Sequence, residues 1–214
     1  MTDEMMFIGV FIIFCCVLIA TLMRNGDYEE QRILSTGIYE VGVEIRPGRC
    51  DLIAASGGGN FSVRSKKANA WNMGNPIGVT SGIMSNRFRN ITLKQGDLLQ
   101  INGNVTVMLS PPVPILDLRT ETLGPGIYRF GVDVTPAKYD FEVDSGVGEI
   151  YLVEIGKDTY NLFQEMAAGS ALKPSAFNNV ICSRRYELWV TGSLQLKLKR
   201  SKHQPLWMNF RKGL

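Results

Sequence analysis

Histidine is almost absent from this chain: His203 is the only one among 214 residues, and it lies near the C-terminal end, outside every patterned stretch. Serine or cysteine hydrolases need a histidine within hydrogen-bond reach of the nucleophile, so both classes are disfavoured. Metal centres are disfavoured too, because there is no second histidine and no C-x-x-C pair. Of the four cysteines, Cys15 and Cys16 sit in an apolar front segment, leaving Cys50 and Cys182 in the remainder. Two buried free thiols are the simpler reading of that pair, with a disulfide left open. The glycines of Ser56-Gly57-Gly58-Gly59 lack the Lys-Ser/Thr that follows the last glycine of a phosphate-binding loop, and they are expected to be turn glycines. No catalytic group, cofactor site or metal site is expected.

Charge is missing from Met5 to Met23. A helix over these residues rises about 28 Å, close to the apolar thickness of a bilayer. A cleaved signal peptide would want a basic start and a small-x-small cleavage site, whereas this chain begins Thr2-Asp3-Glu4 and continues through Ala20-Thr21-Leu22-Met23. The segment therefore reads as an uncleaved transmembrane helix over residues 5–23, with Met5, Phe7, Ile12, Leu18 and Met23 within it. Its partner is the lipid bilayer. Lys and Arg are absent before it, while Arg24 and Arg32 follow, which by the positive-inside rule points the rest of the chain to the cytoplasm. Asp27, Glu29 and Glu30 dilute that signal, and both orientations stay open.

What is present is repetition. Gly37-Ile38-Tyr39-Glu40-Val41-Gly42 returns as Gly126-Ile127-Tyr128-Arg129-Phe130-Gly131, 89 positions later. Without a gap, Gly37–Gly59 and Gly126–Gly148 share 10 of 23 residues, and the same offset aligns Phe88–Leu109 with Phe177–Leu198. One unbroken register over so long a stretch indicates internal duplication. The organisation expected is a flank at 1–4, the helix at 5–23, a juxtamembrane linker at 24–36, a first repeat at 37–110, a linker at 111–125, a second repeat at 126–200 and a basic tail at 201–214.

Each repeat reads as strands. Tyr39, Val41, Val43 and Ile45 alternate through Ile38–Ile45, and Arg46-Pro47-Gly48 is expected to turn tightly. A second strand over Asp51–Ala55 should stop at the glycines, with a third at Phe61–Arg64; Asp140–Val143 and Ile150–Ile155 are the counterparts. Short strands follow at Ile91–Leu93, Leu98–Ile101 and Val105–Leu109, and again at Val180–Cys182, Glu187–Val190 and Leu194–Leu198. The fold class is all-β, as tandem small β-sandwiches or open barrels. Longer irregular pieces, Ser65–Arg87 and Gly156–Ala176, are the least alike parts of the two repeats. Loops on a shared scaffold are where function diverges, so Asn69, Trp71 and Asn72 form a candidate ligand loop, with Trp71 packed onto its own sheet as the alternative.

The acids Glu44 and Asp133 are equivalent, as are Asp51 and Asp140. Paired carboxylates can cleave glycosides, but acids beside proline turns more often cap backbone amides. From Thr191 onward there are six Lys or Arg and no acid, so with a net charge of +3 the rest of the chain carries 3 − 6 = −3. Lys197, Lys199, Arg200, Lys202, Arg211 and Lys212 form a candidate patch for anionic lipid or wall polymer. Without interleaved stacking aromatics on one face, nucleic acid is not expected as a partner.

The repeat resembles a module of cell-surface proteins and lipoproteins of Gram-positive bacteria, with the pattern Gly-x-Tyr-x-Val-Gly-x-Asp-Ile-x-Pro-Gly-x-Tyr. Gly37, Tyr39, Val41, Gly42, Ile45, Pro47 and Gly48 match in the first copy, and Gly126, Tyr128, Gly131, Asp133, Pro136 and Tyr139 in the second. Glu44, Cys50, Phe130 and Ala137 depart from it. The resemblance implies an all-β module outside the membrane, with no activity attached. The expectation is a single-pass membrane protein that binds a protein or wall polymer, or assembles with itself. A cytoplasm-facing scaffold on lipid and a wall-glycan hydrolase are the alternatives.

Overall fold

A computed structural model describes residues 31–65, 73–79, 84–113, 122–157 and 159–201. The expected transmembrane residues, Met5, Phe7, Ile12, Leu18 and Met23, lie outside the described residues. Within them no helix is long and apolar enough to cross a membrane. The described chain is all-β, with thirteen strands in two sheets. The first half contributes β1 (Arg32–Leu34), β2 (Gly37–Glu40), β3 (Gly48–Arg64), β4 (Met73–Gly78), β5 (Arg87–Leu93) and β6 (Leu98–Ser110). The second half contributes β7 (Gly126–Arg129), β8 (Ala137–Ser145), β9 (Val147–Glu154), β10 (Tyr160–Ala167), β11 (Ala176–Cys182), β12 (Tyr186–Val190) and β13 (Gln195–Arg200).

β2 and β7, the strands that carry the recurring Gly-Ile-Tyr segment, stop earlier than the alternation suggests. β2 ends at Glu40, and the chain turns through Val41–Ile45, upstream of Pro47. Gly42 takes φ +92°, and the Glu44 carboxylate accepts the Glu40 amide at 2.8 Å, closing the turn four residues back. Gly131, at φ +95°, and Asp133, which accepts the Arg129 amide at 2.7 Å, build the same turn 89 positions on. Alternation survives a tight turn because Val41 and Ile45 both point inward, so the sequence pattern alone overextends the strand.

The glycine run is not a turn in the first half. β3 passes straight through Ser56–Gly59 and pairs with β6 from Asp51↔Ser110 to Arg64↔Leu98, with a bulge at Ala54/Ser56. Gly57, at φ +68°, sits at that bulge, and a Cβ there would fall 1.7 Å from the Asn104 carbonyl oxygen. In the second half the break does occur, between β8 and β9 at Gly146. β3 and β6 thus each span what two strands, β8 with β9 and β12 with β13, span later. The two segments expected to be irregular each hold a strand, β4 and β10, which pair with β3 and β9.

In the first half the start of β3 pairs with β5 and its end with β4. Phe61, near the end, meets Phe88 of β5 edge-on at 5.0 Å, so the two ends of β3 face one core. In the second half β8 lies between β11 and β13, and β9 between β12 and β10. Phe141 and Leu198 from the first group share a core with Ile150, Leu188 and Val190 from the second. Leu99 and Leu188, 89 apart, are both fully buried. Tyr128 is fully buried and Tyr39 half-buried, yet each hydroxyl donates to the carbonyl four residues before it, of Gly124 and Ser35.

Candidate functional site: the cleft between the halves

The halves join through few backbone contacts. β5 and β7 share one parallel bridge, Arg89↔Gly126, and the Arg89 amide donates to the Pro125 carbonyl at 2.9 Å. Side chains complete the joint. Arg49 pairs with Asp133, and the Arg129 guanidinium, held by Glu187 of its own half, donates to Thr92 Oγ1 at 3.5 Å. Ile127 and Trp189 of the second half pack against the first half's core.

Beside this joint lies a cleft of about 340 Å³. One wall is β4, with Met73, Asn75 and Pro76; the other is the outer face of β9 and β12, with Glu149, Tyr151 and Trp189, and Lys173 at its margin. Ile150, Leu152, Leu188 and Val190 on these strands point to the core, so the alternating residues Glu149, Tyr151, Glu187 and Trp189 face outward. Cross-strand register then sets Trp189 opposite Tyr151, and Tyr151 opposite Phe163 of β10. A row of aromatic rings crosses three strands.

The row widens at its open end. The Tyr151 and Phe163 ring centroids are 5.1 Å apart, and Tyr160 lies 5.8 Å from Tyr151 and 6.1 Å from Phe163. Tyr160 and Phe163 are three residues apart and would normally face opposite ways. A register shift between Tyr160 and Leu162 puts both on one side. Tyr160 is 46% exposed and Phe163 41%, so the row runs from a packed joint to solvent. The Tyr151 hydroxyl donates to Glu149 at 2.6 Å, and the Trp189 indole N–H to Glu187 at 3.1 Å. Burial, and then the bond to and charge of Glu149, hold the Tyr151 hydroxyl above the ordinary tyrosine range, so it remains a donor.

Counterparts 89 positions earlier carry little of this: Tyr160 alone has an aromatic counterpart, Trp71, which lies outside the described residues. Tyr151, Trp189, Phe163 and Glu149 correspond to Ser62, Gln100, Gly74 and Asn60. At those four positions the first half has small or polar residues where the second has three aromatic rings and an acid. Comparing outward positions across the 89-residue offset would have marked Tyr151, Phe163 and Trp189 from sequence; alternation alone does not, because inward apolar neighbours mask them.

The other candidates fall elsewhere. Asn69, Trp71 and Asn72 lie outside the described residues, although β4, which follows them, walls the cleft. Lys202, Arg211 and Lys212 of the basic patch, and His203, also lie outside them. Lys197 pairs with Asp144 and Lys199 with Glu142, so a patch expected to be basic is neutralised at two positions by acids of β8, the neighbouring strand. Arg200 is exposed and stands against the Tyr139 hydroxyl. Asp51 and Asp140 each accept a backbone amide at 2.8 Å, from Asn90 and Asn179. Cys50 and Cys182 are free and buried; burial pushes the Cys182 thiol up to about 12 and Cys50 higher. Among the described residues no cluster of His, Cys, Asp or Glu could hold a metal ion. Comparison with protein-family models, curated proteins and solved structures finds no match to the chain.

Proposed function

We propose that the protein is a membrane-anchored, non-catalytic module that binds or assembles at a cell surface, made of two copies of one small β-sandwich behind an N-terminal transmembrane segment. The duplication is supported by local geometry recurring at one offset: the Glu44 and Asp133 caps, the Asp51–Asn90 and Asp140–Asn179 bonds, and left-handed φ at both Asn90 and Asn179. The binding role rests on one observation. Tyr151 and Phe163 stand partly exposed where the first half has Ser62 and Gly74, so folding does not demand rings there. Aromatic surface that a scaffold does not need is retained for recognition.

The resemblance to a Gram-positive surface module supports display outside the membrane. The cytoplasmic, lipid-docked alternative draws less support, since Lys197 and Lys199 are already paired with acids. The glycan-hydrolase alternative is weakened because Glu44, Asp51, Asp133 and Asp140 all accept backbone amides. Two measurements test the reading. Protease applied to intact, wall-stripped cells should cleave the β-region, and full-length protein in detergent should be retained on purified wall and surface fractions. Protection until lysis would place the β-region in the cytoplasm and overturn the surface assignment.

A further inference from the structure

Resting on that binding role, we infer that the cleft and the aromatic row running out of it take an uncharged glycan, with sugar rings lying on Tyr151 in the cleft and on Phe163 beside it, and hydroxyls meeting Glu149 and Lys173. The first argument is shape. Neighbouring strands lie about 4.8 Å apart, so rings on three of them form a shallow platform roughly 10 Å across. Flat platforms suit ligands that are themselves successive flat rings. A pyranose presents a patch of C–H groups on each face, and these settle on the negative face of an aromatic ring. Its rim of hydroxyls then needs acceptors and donors beside the platform.

Charge narrows the class. Glu154 is paired with Lys157, Glu165 with Lys173 and Glu187 with Arg129. Glu149 has no cation among the described residues; its bond comes from the Tyr151 hydroxyl. An anionic polymer on the platform would meet this carboxylate, whereas a hydroxyl can donate to it. Lys173 borders the same cleft and keeps ammonium protons beyond the one that serves Glu165. Size fits as well. A cleft of about 340 Å³ is small for an organic-ligand site and suits one or two sugar residues. The rest of an oligomer would run over Phe163 and Tyr160 towards the open edge of β10. The first half carries Ser62, Gly74 and Gln100 at the matching positions, so the described residues hold one such site.

The test is calorimetry of the full-length protein in detergent against cellohexaose, chitohexaose and mannohexaose at about 1 mM, with heparin as the anionic comparison. One hexaose or more should bind at one per chain. Tyr151→Ala should weaken binding about tenfold or more, and Phe163→Ala several-fold with an unchanged melting temperature. Glu149→Gln should weaken the hexaose while strengthening heparin. Equal hexaose affinity in Tyr151→Ala and Phe163→Ala would overturn the site. If no hexaose binds, yet Tyr151→Ala abolishes retention on surface fractions, the glycan class is wrong and the binding role stands. If retention also survives both substitutions, the binding role falls with it.

Discussion

Asn75 and Gly192 grip each other across the boundary between the halves. The Gly192 amide donates to Asn75 Oδ1 at 2.7 Å, and Asn75 Nδ2 donates to the Gly192 carbonyl at 3.3 Å and to that of Pro76 at 2.8 Å. Asn75 is 3% exposed, so water does not readily replace these bonds. It also lines the cleft. Asn75→Ala should destabilise the protein by about 1–3 kcal/mol, the usual cost of stranding a buried partner. Urea melts measure the loss, and faster hydrogen exchange at Gly192 would locate it at the joint.

Asp51 is fully buried beside Arg87, whose Nε lies 3.9 Å from Asp51 Oδ2. Burial raises its carboxyl above the ordinary aspartate range, against the Asn90 and Val113 amides and the Arg87 and Arg89 charges. A raised carboxyl means the folded state holds its proton to higher pH than the unfolded state. The contribution of Asp51 to stability is therefore greatest below the ordinary aspartate range, falls as pH rises to the raised value, and is flat above it. Asp51→Asn keeps an acceptor for Asn90 and removes this slope. Urea melts at pH 7 and pH 4 should show wild type gaining on Asp51→Asn in acid, while Asp51→Ala loses at both.

Cys50 and Cys182 should resist alkylation. Both are buried, and their raised thiols leave little thiolate at pH 8. In a Cys15→Ser, Cys16→Ser background, iodoacetamide should label neither residue until denaturant is added. Rapid labelling in the native state would contradict their packing.

Two phenylalanines should behave in opposite ways. Phe88 is fully buried against Phe61, and Phe88→Ala should cost about 3–5 kcal/mol. Phe163 is 41% exposed, and Phe163→Ala should change stability by about 0.5 kcal/mol or less. Thermal melts of the two variants check the contrast and separate the core ring from the ring assigned to binding.

The β-class and the 89-residue recurrence are legible in the amino-acid order. Strand alternation and the recurring Gly-x-Tyr segments are local signals, and the acids Glu44, Asp51, Asp133 and Asp140 cap amides as their positions beside turns suggest. Extent is what the local pattern misjudges. Whether Ser56–Gly59 turns or runs on as β3 depends on β6 lying alongside with a bulge to match, a partner more than forty residues away. β4 and β10 are likewise strands because β3 and β9 offer them edges, although their sequences are irregular. The cleft belongs wholly to the tertiary level. Met73 and Asn75 meet Tyr151 and Trp189 only because the halves dock, and Tyr160 joins Phe163 only because a register shift turns it to the same side. Sequence supplies the side chains and their period; long-range pairing decides which of them share a surface, since register and docking are set by residues far apart in the chain.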